Sequence, residues 1–330
     1  AERPRPLALE DMPVPEPRAD AVRVRVRACG VCHTELDEIE GRTPPSALPR
    51  VLGHQIVGVI DAVGSNARGV DIGQRVGVGW IYGACGVCAL CASGHENLCA
   101  RFEATGRDVD GGYAEFMVVP AAFTCPIPDV LTDGEAAPLL CAGAIGYRSL
   151  ALTELRDGEP LGLTGFGASG HLVLAMAKRL FPTTRVYVFA RSDTERAFAL
   201  ELGAAWAGDT NARPPQTLAA IIDTTPAWRP VVRALECLAP AGRLVVNAIR
   251  KEDADKGALL DLDYATHLWR EKTIRSVANV TRADVRRCLE LAAATGLRPT
   301  YATYPLEAAN EALADLKRGS SRGAKVLTLD

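Results

Sequence analysis

Residues 165–170 read GFGASG, and their surroundings limit the fold more than any other feature of the chain. LGLTGF (161–166) is apolar and ends in the glycines, and HLVLAMAKRL (171–180) follows with helical spacing. RVYVFA (185–190) is β-branched and aromatic, as strands are. SDTERAFALELGA (192–204) opens on an N-cap-type Ser192 and closes on Gly203, as a helix does. LAAIIDTT (218–225), RLVVNAI (243–249) and KTIRSVAN (272–279) read as further strands, with a helix VVRALECLAP (231–240) between the first two. This alternation predicts an α/β fold with a doubly wound parallel sheet. In that setting the glycines have separate tasks. Gly165 permits the tight turn, Gly167 lets a pyrophosphate approach the backbone, and Gly170 lets helix and strand pack closely. The pyrophosphate then sits on a helix N-terminus. A glycine turn without a ligand is the bland alternative, and the strand–turn–helix context argues against it.

The end of the second strand selects the cofactor. An acidic residue there takes the adenine ribose hydroxyls and favours NAD. This chain reads VFARSDTER, with Ala190, Arg191 and Ser192 at the tip and no carboxylate before Asp193. Arg191 can pair with a 2′-phosphate, with Ser192 as a second donor, so NADP(H) is expected over NAD(H).

Residues 1–140 look different. AVRVRVRA (21–28) and QIVGVIDAVG (55–64) are short strands among many Gly and Pro turns, which predicts a mainly β, barrel-like domain. After residue 279 come two helical stretches, 283–294 and 306–317, and a final strand, AKVLTL, expected to pack back on the first domain. The expected domains are therefore 1–142 with 279–330, and 143–278. With 330 residues and 48% apolar composition, the chain has ample material for two cores. The net charge of −3 comes from interspersed acids and bases, with no basic run to track a phosphate backbone, so no nucleic acid partner is expected. No apolar run approaches the ~20 residues of a membrane helix. The charged, proline-rich start, AERPRPLALEDMPVPEP, does not read as a secretory signal. A cytoplasmic protein with reduced thiols is the expectation.

That bears on CGVCALCASGHENLC (85–99), which holds Cys85, Cys88, Cys91 and Cys99. Disulfides are disfavoured in a reducing compartment, and the segment has few large apolar residues to pack. Four thiolates at this spacing can surround one tetrahedral zinc ion in a closed structural site. An iron–sulfur cluster and an unmetallated loop are the alternatives.

Three more candidate ligands lie elsewhere, in CGVCHTEL (29–36), LGHQ (52–55) and LLCAG (139–143). With these motifs in this order, followed by the glycine loop, the chain resembles the zinc-dependent medium-chain alcohol dehydrogenases over nearly its whole length. The resemblance is to the yeast-type and cinnamyl-type branches. It implies a GroES-like catalytic domain beside a Rossmann domain, and two zinc ions per chain. It implies that Cys32, His54 and Cys141 hold the catalytic zinc, with a fourth position left for water or substrate. Such an ion eases deprotonation of an alcohol, or polarises a carbonyl, for hydride exchange with the coenzyme. Thr34 matches the hydroxyl that bonds the substrate oxygen and relays its proton. His33 matches a position that approaches the coenzyme pyrophosphate. Trp80, Ile39 and Thr43 match substrate-pocket positions, which suggests an apolar pocket for a small-molecule primary alcohol or aldehyde. Family members form homodimers and homotetramers.

The chain departs from the family pattern at four places. Gln55 follows the ligand His where Glu is usual, and Asp37 stands where many members have a relay His. Glu35 replaces a shorter Asp, and Ile145 replaces a Thr near the nicotinamide. The expected activity is aldehyde reduction with NADPH. Alternative readings are an NAD-dependent primary alcohol dehydrogenase, and a zinc- and nucleotide-binding sensor without turnover. A sensor has no use for an open zinc position with a hydroxyl beside it, which weighs against the second. A zinc-independent quinone or enoyl reductase would lack both sets of ligands.

Overall fold

The computed structural model describes residues 7–319 and 322–329. Residues divide into two compact units. One runs up to Ala144 and resumes from Asn279; the other is Ile145–Ala278.

The first unit is organised by one long strand, Ala21–Val31. Its valines and arginines alternate, so Val22, Val24 and Val26 are buried while Arg25 and Arg27 face solvent. One edge pairs antiparallel with Ile56–Val63. The other edge pairs with Phe116–Pro120 along its first half and with Ala324–Thr328 along its second. The C-terminal strand is thus built into the sheet of the first unit. Arg75–Val78 and Cys125–Pro126 continue the seven-stranded sheet on one side, and Tyr301–Pro305 on the other. Ile56, Ile60, Val76, Val78, Met117 and Val119 join the valines in a core cluster. Each such side chain contributes about 1.5–3 kcal/mol when fully buried.

The second unit carries a six-stranded sheet. Its order is Trp206–Gly208, Val186–Phe189, Leu161–Thr164, Leu218–Asp223, Leu238–Val246, Thr273–Ser276, and every pair is parallel. Counted along the chain this is 3-2-1-4-5-6, with the reversal beside Leu161–Thr164, where doubly wound sheets bind ligands. Leu161–Thr164 and Val186–Phe189 are buried along their whole length, as strands covered on both faces must be.

Two details differ from the sequence reading. Trp206–Gly208 is a strand of only three residues, too short to show a pattern. The helix after Leu218–Asp223 spans Arg229–Cys237 and stops there, and Leu238, Ala239 and Pro240 join the next strand. Pro240 cannot serve a helix interior, and the strand bends at Ala241, whose φ is 57°.

Candidate active site and metal centres

The strand Ala21–Val31 delivers Cys32 directly onto the start of the helix His33–Ile39. Cys32 is the N-cap, in an extended conformation. Its Sγ accepts from the Thr34 N–H at 3.3 Å, and its own N–H donates to Glu35 Oε2 at 2.8 Å. His54 stands two residues before the strand Ile56–Val63, in which Ile56 lies opposite Cys29. Sheet register therefore carries His54 to Cys32. Cys141 comes from a π-helical turn, Leu139–Gly143, between the helices Asp133–Pro138 and Ala144–Thr153. Such wide turns often occur at functional positions.

His54 Nε2 lies 3.6 Å from Cys32 Sγ and 3.3 Å from Cys141 Sγ, and all three donor atoms fall within 4.8 Å of one another. A tetrahedral zinc with bonds of about 2.3 Å to sulfur and 2.0–2.1 Å to nitrogen sets N···S near 3.5 Å. The donor set fits that ion and supplies three of its four positions. The other imidazole nitrogen, Nδ1, is 2.6 Å from Glu35 Oε1, and both residues are buried. A carboxylate there holds the proton on Nδ1 and leaves Nε2 free to coordinate. The longer Glu35 thus reaches His54.

The other departures have settled places. Gln55 is buried with its side chain flat against Gly30, where a Cβ would lie 2.6 Å from Gln55 Oε1. Asp37 is buried, accepts from Arg42 Nε at 2.5 Å, and receives the N–H groups of Arg42 and Thr43 on its carbonyl. It braces the turn after the helix. Ile145 is half-buried, and its carbonyl accepts from the Ser149 hydroxyl at 2.6 Å.

The expected pocket residues separate. Trp80 meets His54 edge-on, with ring centroids 6.4 Å apart, and leans on Phe102 at 5.6 Å. The Arg107 guanidinium stacks over its ring at 5.3 Å. Trp80 Nε1 and Thr43 Oγ1 are buried and have no hydrogen-bond partner among the described residues. Ile39 is half-buried and packs against the cluster of Val31, Leu36, Ala309 and Leu313.

The four-cysteine lobe closes on itself. Cys85 and Cys91 sulfurs are 3.8 Å apart, and those of Cys88 and Cys99 are 3.9 Å apart. Tetrahedral zinc with four sulfurs at ~2.3 Å gives about 3.8 Å. Backbone N–H groups also point at the sulfurs: Cys88 to Cys85 at 3.3 Å, Cys91 to Cys88 at 3.5 Å, and Cys85 and Arg101 to Cys99 at 3.4 and 3.3 Å. These donors favour thiolates. All ten cysteines are unpaired. Glu96, inside the lobe, anchors it to the helix Arg282–Thr295 through the Arg282 guanidinium and backbone N–H, and Arg282 covers the Phe123 ring at 4.6 Å.

In the second unit the three glycines of the loop have different surroundings. Gly165 has φ of 82°, and a Cβ there would lie 2.6 Å from Thr224 Oγ1. A Cβ on Gly170 would meet the Gly165 carbonyl at 2.7 Å, whereas one on Gly167 meets nothing within 4 Å. The open position is the one a pyrophosphate needs. At the tip of Val186–Phe189, Arg191 is exposed. The Ser192 hydroxyl is engaged as the N-cap of Asp193–Glu201, accepting from the Glu195 N–H at 3.1 Å and donating to the Glu195 carboxylate at 3.0 Å. Arg196, which the sequence reading passed over, donates to the carbonyls of Ala190 and Arg191 at the same tip.

Residues 18–129 match the family model "Alcohol dehydrogenase GroES-like domain", and residues 203–327 match "Zinc-binding dehydrogenase". A probable alcohol dehydrogenase, AdhA, of Mycobacterium tuberculosis is 44% identical over 98% of this chain and 93% of its own length. The chain belongs to the zinc-binding medium-chain alcohol dehydrogenase family. An alcohol dehydrogenase of Geobacillus stearothermophilus is 32% identical over 98% of this chain and 96% of its own. Among solved structures, a cinnamyl alcohol dehydrogenase from Sorghum bicolor superposes with a TM-score of 0.83 at 28% identity, covering 96% of this chain and 92% of that one. An alcohol dehydrogenase of Aeropyrum pernix gives 0.86 at 25% identity, covering 98% and 97%. The protein is thus an oxidoreductase of the alcohol dehydrogenase family with a GroES-like and a Rossmann-type domain. No helix among the described residues is long and apolar enough to cross a membrane.

In this dehydrogenase three further titratable groups of the first unit are shifted: His33, which the sequence singled out, and Lys325 and Glu38, which it did not. Lys325, in the strand Ala324–Thr328, is buried, and burial lowers its pKa. His33 is exposed at the helix start; desolvation of its ring, opposed by Asp37 and reinforced by Lys325, lowers its pKa. Glu38 is buried, and burial together with Glu35 pushes its carboxyl up to about 8.

Proposed function

We propose that this dehydrogenase binds two zinc ions and reduces small aldehydes to primary alcohols with NADPH. The observation that carries the reading is the Cys32–His54–Cys141 donor set, with the outer nitrogen of His54 2.6 Å from Glu35. When bound, zinc supplies a Lewis acid for the carbonyl and NADPH supplies the hydride. The chain's own residues arrange the rest. Glu35 holds the proton on Nδ1 of His54 and orients the ring so that Nε2 faces the metal position. The Thr34 hydroxyl, two residues after Cys32, receives the substrate oxygen and passes its proton. Asp37, the next position in the expected relay, is engaged by Arg42, so water supplies the proton that Thr34 delivers to the substrate oxygen. Trp80 and Thr43 border the substrate. His33 is the position that the resemblance assigns to the coenzyme, as a hydrogen-bond donor and not as a cation, and the Gly165–Gly170 loop takes the pyrophosphate. Arg191 reads the 2′-phosphate; its exposure and the capped hydroxyl of Ser192 make it the principal reader. Cys85, Cys88, Cys91 and Cys99 hold the second, structural zinc.

The edge strand Thr273–Ser276 is exposed along its whole length, which supports pairing with a second copy in a homodimer or homotetramer. The protein works in the cytoplasm.

The test is a panel of aldehydes, short and long aliphatic, benzyl-type and cinnamyl-type, offered with NADPH and NADH to zinc-loaded protein. The expected outcome is turnover that prefers NADPH, and an Arg191→Asp variant whose preference moves toward NADH by ~10-fold or more. Turnover with NADH alone would overturn the cofactor assignment. Absence of turnover with every aldehyde would favour a sensor instead, and would make Gln55 and Asp37 the first positions to revert.

A further inference from the structure

The helix His33–Ile39 carries Glu35, Asp37 and Glu38, all buried. Two of these acids are accounted for: Glu35 faces His54, and Asp37 holds Arg42. Glu38 is 4% exposed, and neither of its carboxyl oxygens has a hydrogen-bond partner among the described residues. A buried carboxyl without partners is costly, and groups of this kind persist where something else completes them.

Its position says where that completion comes from. Glu38 is four residues after Thr34, so it lies on the same helix face one turn further along, with Cβ atoms about 5–6 Å apart. The charged groups that act on it are Glu35, His54, Arg107 and Asp108. His54 and Arg107 also lie against the Trp80 ring, as Phe102 does. Glu38 and Trp80 therefore have His54 and Arg107 as common neighbours. Among the described residues Trp80 Nε1 is a buried donor without a partner, and so is the Thr43 hydroxyl, whose backbone N–H is tied to Asp37 at 3.1 Å. Arg107 does not neutralise Glu38, because Asp108 takes its guanidinium through two bonds of 3.1 and 2.8 Å. With its pKa raised to about 8, Glu38 is largely a carboxylic acid near neutrality, able to donate as well as accept.

We propose that Glu38, assisted by the Trp80 indole N–H, is a specificity-determining residue that binds a hydroxyl group remote from the reacting carbon. The preferred substrates are then hydroxylated aldehydes and polyols rather than plain hydrocarbon ones, in place of the apolar pocket expected from sequence. This rests on reading Cys32, His54, Cys141 and Thr34 as the reacting centre. A site built to hydrogen-bond a substrate hydroxyl discriminates strongly against the analogue that lacks it, because its own polar groups are left unpaired.

The test compares kcat/KM for glyceraldehyde and propanal on the zinc-loaded full chain, in wild type, Glu38→Gln and Glu38→Leu. Wild type should favour glyceraldehyde by ~10-fold or more. Glu38→Leu should reverse the preference, chiefly through KM, and Glu38→Gln, which keeps the shape and part of the hydrogen bonding, should fall between them. Thermal shift gives a second readout: glycerol should raise the melting temperature of wild type more than propanol does, and Glu38→Leu should lose that difference. If Glu38→Leu does not fold, the isosteric Glu38→Gln decides by the same ratio. Should wild type turn over both aldehydes with a ratio that neither variant changes, Glu38 is a structural residue and the inference falls while the dehydrogenase reading stands. A wild type that turns over neither aldehyde, nor any of the panel, overturns that reading and this inference with it.

Discussion

The two ligand clusters of the first unit are assembled in opposite ways. Cys85, Cys88, Cys91 and Cys99 come from one stretch of fifteen residues, and neighbouring backbone N–H groups of the same stretch support their sulfurs. Cys32 and His54 are separated by 22 residues, and His54 and Cys141 by 87. Those three meet only because a sheet register and a π-helical turn bring them together. A local cluster needs little beyond its own turns and gives rigidity in return. A dispersed one needs the whole unit in place, and its weakly constrained fourth position is what chemistry uses. Damage to the first should therefore register as stability, and damage to the second as turnover.

Four experiments sharpen or break that contrast. Cys141→Ser should have the largest effect, lowering kcat by more than the ~10–100-fold typical of residues that merely support a ligand. Metal analysis should fall from two zinc ions to one per chain while the melting temperature stays near wild type. Wild-type turnover would remove Cys141 from the ligand set. Glu35→Gln should come next, at ~10–100-fold in activity or zinc affinity, with Glu35→Asp milder; equal losses in both would mean that charge and reach at this position do not matter.

Cys91→Ser should act the other way round. It opens the lobe, so the melting temperature should drop by ~5 °C or more while turnover per folded molecule holds. An unchanged melting temperature would end the distinction between the two centres. The smallest effect is expected at the lobe's anchor. Burial opposes ionisation of Glu96, but the Arg282 hydrogen bonds and charge outweigh it and hold the carboxyl below its usual 4.5. A depressed carboxyl stabilises the fold above its unfolded pKa, and that contribution is lost as pH falls through its folded value. Wild type and Glu96→Gln should therefore differ in melting temperature by a few degrees near neutrality and converge as the pH falls well below 4.5. A gap that persists in acid would assign the difference to packing instead of charge.

The contrast also explains what the sequence could reveal. The lobe and the glycine loop were legible from spacing, because each does its work within a few residues. The dispersed ligands were readable only through resemblance, since nothing local to Cys32 predicts a partner 109 positions away at Cys141. Trp206–Gly208 escaped notice because three residues show no period. Glu38 was hidden for a different reason. Nothing in TELDEIEG separates Glu38 from Glu40, yet Glu35, Asp37 and Glu38 are buried. Their burial follows from what surrounds the helix in three dimensions, which a one-dimensional pattern of charges does not show.

The π-helical turn at Leu139–Gly143 has a consequence for how this gene tolerates change. Such a turn amounts to one residue more than an α-helix requires. Deleting a single residue within it would return the backbone after Pro138 to α-helical spacing. Each residue of an α-helix advances by about 100°, so the thiol would swing away from its two partners while the fold gained regularity. The count of residues here preserves an irregularity, and a more regular backbone is one that no longer gathers the three donors.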